Sequence, residues 1–210
     1  MREPSPKMND DTIFVILSAP SGAGKTTIAR TFIEKHPNFR FSISATTRQP
    51  RGSEQDGVDY YFKTPEAFKE MIANRELVEW AEVHGNMYGT PVATIEKAYV
   101  ENKHVIFDID VQGGLQVKQR YPYQTILLFV MPPSKKILTE RLIGRSTDSK
   151  EIIEKRLKNA EKEITIGFEH YEYVIVNDTV EKAVAALEEI VEGFSHKLIY
   201  NREVFGSWQK

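Results

Sequence analysis

Residues 12–35 read TIFVILSAPSGAGKTTIARTFIEK, and this stretch decides the fold. The first part, Thr12–Leu17, is a β-branched and apolar run with little polar alternation, which predicts a central parallel strand covered on both faces. Small residues and glycines follow, and Thr26–Lys35 then shows apolar residues at helical spacing. A strand that runs through a Gly-rich loop into a helix is typical of a phosphate-binding loop.

The loop has the composition of an anion site. Its glycines let successive backbone N–H groups turn toward one anion, and the helix N-terminus adds partial positive charge. Lys25 would reach the β- and γ-phosphates, and Thr26 would offer its hydroxyl to Mg²⁺. The usual pattern begins with Gly at the position of Ala19. A Gly at this position can serve a backbone conformation that Ala adopts only at an energetic cost. The alternative is a plain strand-to-helix turn. The predicted triphosphate contacts are Ala19, Pro20, Ser21, Gly22, Ala23, Gly24, Lys25, Thr26 and Thr27.

The rest of the chain continues the alternation of strand and helix. Three further apolar runs, Val105–Ile109, Thr125–Val130 and Tyr173–Val176, predict strands, and an apolar face from Ala183 to Leu198 predicts a terminal helix. We therefore expect an α/β protein with a central parallel sheet flanked by helices.

Two segments interrupt this alternation. Phe41–Asn102 is rich in polar turn residues and contains short strand-like pieces, Asp59–Phe62 and Leu77–Val83, which suggests a small mixed-sheet insertion. Ser134–Phe168 reads as two charged helices around Gly144–Ser149, which suggests a movable flap. Capping patterns predict helix starts at Thr64 and Thr90, each before a proline, and a capping box from Asp178 to Glu181.

Composition limits the classes of partner. The 210 residues carry a net charge of −2, so no global basic field exists to hold nucleic acid or an anionic membrane. Cysteine is absent, which excludes disulfides and thiolate chemistry. The apolar runs are too short for a membrane span, and the first residues lack the apolar stretch of a signal peptide. We expect a cytoplasmic protein whose oligomeric state stays open, a homo-oligomer included.

Two arginines, Arg48 and Arg51, lie three residues apart in a polar stretch and indicate a second anion site. Paired guanidinium groups can grip a phosphate monoester, and Tyr60 could add a hydroxyl donor. A solvated basic turn is the alternative. Asp108 and Asp110 lie at the carboxyl end of a central strand, where α/β sheets bind ligands, and could hold the waters of Mg²⁺, an amine of a bound ligand or Arg48.

Seven stretches carry a resemblance to a known family. They are the phosphate loop, SATTRQPR at 44–51, GVDY at 57–60, VEW at 78–80, GNMYGT at 85–90, DIDVQG at 108–113 and VIVND at 174–178. Together they resemble the guanylate kinase family. The resemblance implies a P-loop nucleoside monophosphate kinase with a core at 12–42, 94–133 and 168–210, a mixed-sheet GMP-binding insertion at 43–93, a helical lid at 134–167 and a flexible leader at 1–11.

The same resemblance implies a reaction and its residues. The γ-phosphoryl group of MgATP would pass to GMP, and also to dGMP, with Mg²⁺ as cofactor. The GMP phosphate would be bound by Arg48, Arg51, Tyr60 and Tyr88. Guanine would be contacted by Ser44, Glu79, Thr90 and Asp108, with Asp110 beside them, and the adenine side by Asn177. The lid would bring in Arg141, Arg145 and Arg156 when it closes.

The chemistry of guanine supports the role of Glu79 separately. Guanine presents N1–H and the exocyclic amine side by side, and one carboxylate can accept from both, whereas AMP would leave that carboxylate unpaired. Such a site can reject the wrong base by about 10⁴-fold or more. Each of these residues also has a purely structural interpretation. Glu79 could be a surface carboxylate beside a core Trp80, Tyr88 could serve packing, and Thr90 could be a helix N-cap. The lid arginines could lie on a solvated helix face.

Three other functions compete with this interpretation. A different nucleoside monophosphate kinase would prefer another acceptor. A non-catalytic guanylate kinase-like module that binds phosphopeptides generally has an eroded phosphate loop, whereas Lys25 and Thr26 are intact here. A triphosphate-driven switch would not need the paired arginines.

Overall fold

The computed structural model describes residues 12–83, 85–144 and 150–196. The predicted leader and C-terminal tail, and Arg145, lie outside the described residues. The strands are β1 Phe14–Ser18, β2 Phe39–Phe41, β3 Ala45–Thr46, β4 Tyr61–Phe62, β5 Leu77–Val83, β6 Asn86–Pro91, β7 His104–Asp108, β8 Thr125–Met131 and β9 Tyr173–Val176. The helices are α1 Lys25–Lys35, α2 Pro65–Ala73, α3 Val92–Val100, α4 Val111–Arg120, α5 Lys135–Ile143, α6 Lys150–His170 and α7 Val180–Ser195.

The larger sheet has the order β2-β7-β1-β8-β9, and all its strands are parallel. This confirms the predicted α/β class and its four predicted strands, three of which differ from the prediction by one or two residues at one or both ends. The three-residue β2 was not predicted because it is too short to show a hydrophobic period.

The central strand β1 is buried on both faces, as its unbroken apolar pattern predicts. Val15 and Leu17 point into a cluster with α1 and α7, whereas Phe14 and Ile16 point into a cluster with α3 and α4. Successive side chains of a strand point to opposite faces, so one strand supplies two cores. The sheet is thereby held rigidly under the loop that follows β1.

The second sheet has the order β4-β3-β6-β5 and mixes parallel with antiparallel pairs. It packs on α2 through a small core of Ala45, Phe68 and Leu77. Two helices, α5 and α6, form a separate pair around Leu138 and Leu142, and a Cβ on Gly22 of the phosphate loop would lie 3.1 Å from the Leu142 side chain. The loop therefore lies directly against α5.

The helix starts correct two sequence-based predictions. Thr64 caps α2 as predicted, by accepting a hydrogen bond from the Ala67 N–H. The cap of α7 is Thr179, not Asp178, and α3 begins after Pro91 without any side-chain cap. Thr90 is thus free for another partner. Across the described ranges, the helices are too short or too polar to span a bilayer.

Candidate active site

The phosphate loop joins the end of β1 to the start of α1. Gly22 and Gly24 have φ angles of 93° and 91°, a region that only glycine enters without strain. A Cβ on Gly24 would also collide with the side-chain amide of Asn177. Ala19 does not have a positive φ, so the expected conformational cost of replacing the usual glycine there is absent.

Asp108 contacts the side chains of two phosphate-loop residues, Lys25 and Thr26. The Lys25 Nζ lies 2.5 Å from Oδ1 of Asp108 and donates to the Ile109 carbonyl at 3.0 Å, and the Thr26 hydroxyl donates to the other Asp108 oxygen. Asp108 ends β7, which pairs with β1, so the sheet register brings the carboxylate to the loop. A magnesium ion fits this donor set, because Mg²⁺ prefers oxygen ligands and usually takes one or two from protein.

The carbonyl of Ala23 ties the loop to the far end of the chain. The Asn177 side-chain amide donates to it at 2.7 Å, and Arg141 of α5 donates to it at 3.4 Å and to the Asn177 carbonyl at 3.1 Å. Arg141 is therefore already beside the phosphate loop, and the buried Asn177 supports that loop directly.

Glu163 of α6 is a site residue that the sequence analysis missed. Its carboxylate lines the cavity beside Lys25, where the nearby Ser21 backbone N–H favours the ionised form. Burial raises the pKa of Glu163 to about 7, although the Lys25 charge acts against the rise. In the sequence only the helical spacing of Glu163 from the small residues Ala160 and Gly167 points to it, since the burial of that helix face appears only in the fold. A charged residue on a buried face is informative.

Tyr171, just after α6, was also missed. Its phenol donates to the Ser18 hydroxyl at 2.6 Å, and that hydroxyl donates to the Ile109 carbonyl at 2.9 Å. Burial raises the pKa of Tyr171, so the phenol stays a donor. This chain of hydrogen bonds joins the end of the flap to the start of the phosphate loop.

A cavity of about 310 Å³ separates the phosphate loop from the second sheet. The loop, Glu163 and the end of β7 form one wall, and strands β5 and β6 with the segment before β3 form the other. The sequence-predicted residues that line it are residues 19–27 of the loop together with Ser44, Tyr60, Glu79, Tyr88, Asp108 and Asp110.

The sheet wall carries a buried carboxylate. Glu79 is only 3% exposed and accepts a 2.7 Å hydrogen bond from the Thr90 hydroxyl, whereas Trp80 is 43% exposed. The alternative of a surface Glu79 beside a core Trp80 is therefore wrong, and so is the N-cap role of Thr90. Burial raises the pKa of Glu79 to about 7 although the Thr90 hydrogen bond opposes the rise.

The structure gives the two aspartates after β7 different neighbours. Asp108 contacts the phosphate loop, while Asp110 caps α4 by accepting from the Gly113 N–H at 2.7 Å. Burial raises the pKa of Asp110, and its charge contributes to the raised pKa of Glu79. Asp110 thus faces the sheet wall, whereas Asp108 faces the loop.

Arg48 is nearly buried and held by a carboxylate that the sequence analysis did not single out. It donates to Glu54 at 2.8 Å and to the Gln49 carbonyl at 2.7 Å, and its guanidinium lies 5.2 Å from the centre of the Tyr60 ring. The hydrogen bond from Arg48 lowers the pKa of Glu54. The centres of the Tyr60 and Tyr88 rings lie 6.1 Å apart.

The remaining predicted arginines are not brought together. Arg51 is exposed, and its backbone N–H donates to Glu54 at 2.8 Å. Arg156 is half-buried on α6 and does not line the cavity, and Arg145 lies outside the described residues. Neither Arg48 nor Arg51 lines the cavity.

Several known proteins are similar to this chain. The family model described as guanylate kinase matches residues 12–194. The guanylate kinase of Anaeromyxobacter dehalogenans (strain 2CP-C) is 51% identical over 179 residues, which cover 85% of this chain and 79% of the relative. That of Desulfitobacterium hafniense (strain Y51) is 46% identical over 179 residues, covering 85% and 88%.

A solved structure shows the same architecture. The crystal structure of guanylate kinase from Anaplasma phagocytophilum is 32% identical and superposes with a TM-score of 0.73, covering 90% of this chain and 88% of that one. Because the family model spans most of the chain and the relatives exceed 30% identity over most of their length, the family resemblance is confirmed. The chain belongs to the guanylate kinase family.

Proposed function

We propose that this protein transfers the γ-phosphoryl group of MgATP to GMP, and to dGMP, releasing ADP and GDP. One observation carries the proposal: a single cavity has a phosphate loop with Lys25 on one wall and the buried Glu79 carboxylate on the other. Two mononucleotide sites facing each other are what direct transfer between nucleotides requires.

The acceptor needs no general base, because the second pKa of a phosphate monoester is about 6 and GMP is largely dianionic at neutral pH. The main barrier is the approach of two anions in line, so positioned cations supply most of the rate. Lys25 would bind the transferring phosphoryl group, and Arg141 would reach it from Ala23 with a small movement of α5. Mg²⁺, when bound at Thr26 and Asp108, would neutralise charge on the phosphates.

Guanine would be read on the sheet wall. Glu79 accepts from N1–H and the exocyclic amine once ionised, while Thr90 keeps one of its oxygens oriented. Ser44 lies on the same wall. Tyr60 and Tyr88, which line the cavity, would bind the GMP phosphate together with Arg48 and Arg51 once closure brings these two arginines to the cavity. Asn177 would contact the adenine side.

Segments 43–93 and 134–167 would act as the GMP-binding insertion and the lid, moving against the core at 12–42, 94–133 and 168–210. The lid arginines Arg141, Arg145 and Arg156 would approach the phosphates on closure. Closure would exclude water, which competes with GMP for the phosphoryl group. Because ATP and GMP are intracellular nucleotides, the reaction belongs in the cytoplasm.

The deciding experiment is an acceptor panel with MgATP, with ADP release measured in a coupled assay. We expect turnover with GMP and dGMP, and rates at least 10³-fold lower with AMP and UMP. Equal rates with AMP would favour another nucleoside monophosphate kinase. No transfer to any acceptor, combined with binding of a phosphoserine peptide, would favour the phosphopeptide module.

A further inference from the structure

The strand that carries Glu79 has an unusual neighbour. Among the described strands β5 pairs only with β6, so its other edge presents backbone groups without a strand partner. The side-chain amide of Gln116, on α4, occupies that edge. Its Oε1 accepts from the Trp80 N–H at 3.2 Å, and its Nε2 donates to the Trp80 carbonyl at 2.8 Å.

One side-chain amide therefore pairs with both backbone groups of a residue, as a neighbouring strand would. Trp80 directly follows Glu79, so this double hydrogen bond fixes the backbone next to the base-reading carboxylate. A glutamine can do this because its amide carries both a donor and an acceptor on one plane. Glutamate or alanine at the same position would supply only one of these groups or neither.

Two other residues of α4 contact β5 on the same face. Gly113 lies one turn before Gln116, and a Cβ there would overlap the Glu79 carboxylate. Arg120, four residues after Gln116, donates to the Leu77 carbonyl at 3.4 Å. The spacing i, i+3 and i+7 brings the three side-chain positions onto one stripe of the helix.

A bulge in β5 adds an apolar anchor. Leu77 and Glu79 pair with the adjacent residues Pro91 and Thr90, so Val78 is the extra residue. Val78 is 6% exposed and packs in the cluster that contains Val117 of α4. Val78 thus anchors β5 to α4 of the core.

We infer that Gln116 is a positioning residue for guanine recognition, which acts by holding β5 so that Glu79 stays aimed into the cavity. This inference rests on the proposed function and deepens it, because it assigns part of the base specificity to a helix of the core that touches no substrate. Gly113 contributes by leaving room for the carboxylate.

The test compares Gln116→Ala and Gln116→Glu with Gln119→Ala, a control at an exposed position of the same helix. A typical intramolecular hydrogen bond corresponds to a factor of about 5 in an equilibrium constant, so we expect the KM for GMP to rise about 5-fold in Gln116→Glu, which keeps the acceptor, and about 30-fold in Gln116→Ala, which loses both hydrogen bonds. The KM for ATP and kcat at saturating GMP should change less than about twofold, and the control should match the unmodified protein. Hydrogen exchange at the Trp80 amide, measured without nucleotide, should quicken in Gln116→Ala by about the same factor.

The outcomes separate the two ideas. An unmodified protein that neither binds nor phosphorylates GMP overturns the proposed function and this inference with it. An unmodified protein that phosphorylates GMP, with an unchanged KM for GMP in Gln116→Ala, overturns this inference alone. A loss in kcat and in both KM values together, with a lower melting temperature, would show a merely structural role and would also overturn it.

Discussion

The Thr90 hydroxyl donates a 2.7 Å hydrogen bond to the Glu79 carboxylate in the interior of the molecule. Both residues are at most 3% exposed, and they lie opposite each other on the antiparallel strands β5 and β6. A carboxylate buried with one neutral donor has unused acceptor capacity, which a ligand with two adjacent N–H groups would satisfy. In the proposed function this pair would provide the physical basis for choosing guanine.

Replacing Glu79 by Gln should remove base discrimination. The amide would place an N–H group against guanine donors, so we expect the ratio of kcat/KM for GMP over AMP to fall by about 10²-fold or more. Steady-state kinetics with both acceptors measure this ratio. Glu82→Gln, an exposed change on the same strand, is the matched control. An unaltered ratio in Glu79→Gln would contradict the base-reading role.

The raised pKa of Glu79 predicts a pH dependence of stability. The folded-state pKa of about 7 exceeds the ordinary value of 4.5, so the native protein binds the proton more tightly. Its contribution to the free energy of unfolding is full below about pH 4.5 and is lost as the pH rises through about 7. Denaturant unfolding between pH 5 and 8 should show Glu79→Gln gaining about 1–3 kcal/mol over the unmodified protein with rising pH. A difference in the free energy of unfolding that stays constant with pH would refute the raised pKa of the buried Glu79 carboxyl.

Lys25→Ala should abolish transfer while leaving the fold intact. In the proposed reaction Lys25 would be the loop cation beside the transferring group, and loss of one such group costs about 10²–10³-fold or more in kcat. Circular dichroism checks folding, and ADP release measures turnover. Lys35→Ala, at the exposed end of the same helix, should be silent. Near-normal turnover of Lys25→Ala would exclude the assignment.

Arg141→Ala should lower kcat by about 10³-fold with a small change in the KM for GMP. Arg141 donates to the carbonyls of Ala23 and Asn177, so it lies beside the phosphate loop rather than the acceptor site. Single-turnover measurements separate transfer from binding. Lys136→Ala, exposed on the same helix, controls for charge. An effect confined to the KM for GMP would show that Arg141 does not serve the transfer step.

Glu163→Gln should strengthen ATP binding several-fold at pH 8. The ionised carboxylate stands near Lys25 and the Ser21 backbone N–H, where it would repel the phosphates. Because the pKa of Glu163 is about 7, this carboxyl is mostly neutral at pH 6 in the unmodified protein. The difference in ATP affinity between the variant and the unmodified protein should therefore shrink at pH 6. Calorimetric titration with ATP at both pH values measures it, with Glu169→Gln as the exposed control. A gain of equal size at both pH values would rule out this explanation.

The β1-loop-α1 unit and the parallel sheet were predictable because their signals lie in consecutive residues. The predictions at Thr90 and Asp178 were wrong because a capping pattern is local, whereas the partner chosen depends on the fold. Thr90 donates a hydrogen bond to Glu79 on the neighbouring strand, and Thr179 rather than Asp178 caps α7. Glu163 escaped notice because the phosphate loop, with which it lines the cavity, is far away along the chain.

By itself the sequence determined the phosphate loop, the glycines it needs at Gly22 and Gly24, and the α/β class, since short-range sterics and hydrophobic period specify these features. The tertiary structure alone decided which groups meet in the cavity. Asn177 reaches Ala23 across 154 residues, and only the order and register of the strands bring such distant groups within hydrogen-bonding distance. Burial, which sets the pKa of Glu79, likewise arises only when the packed walls exclude water.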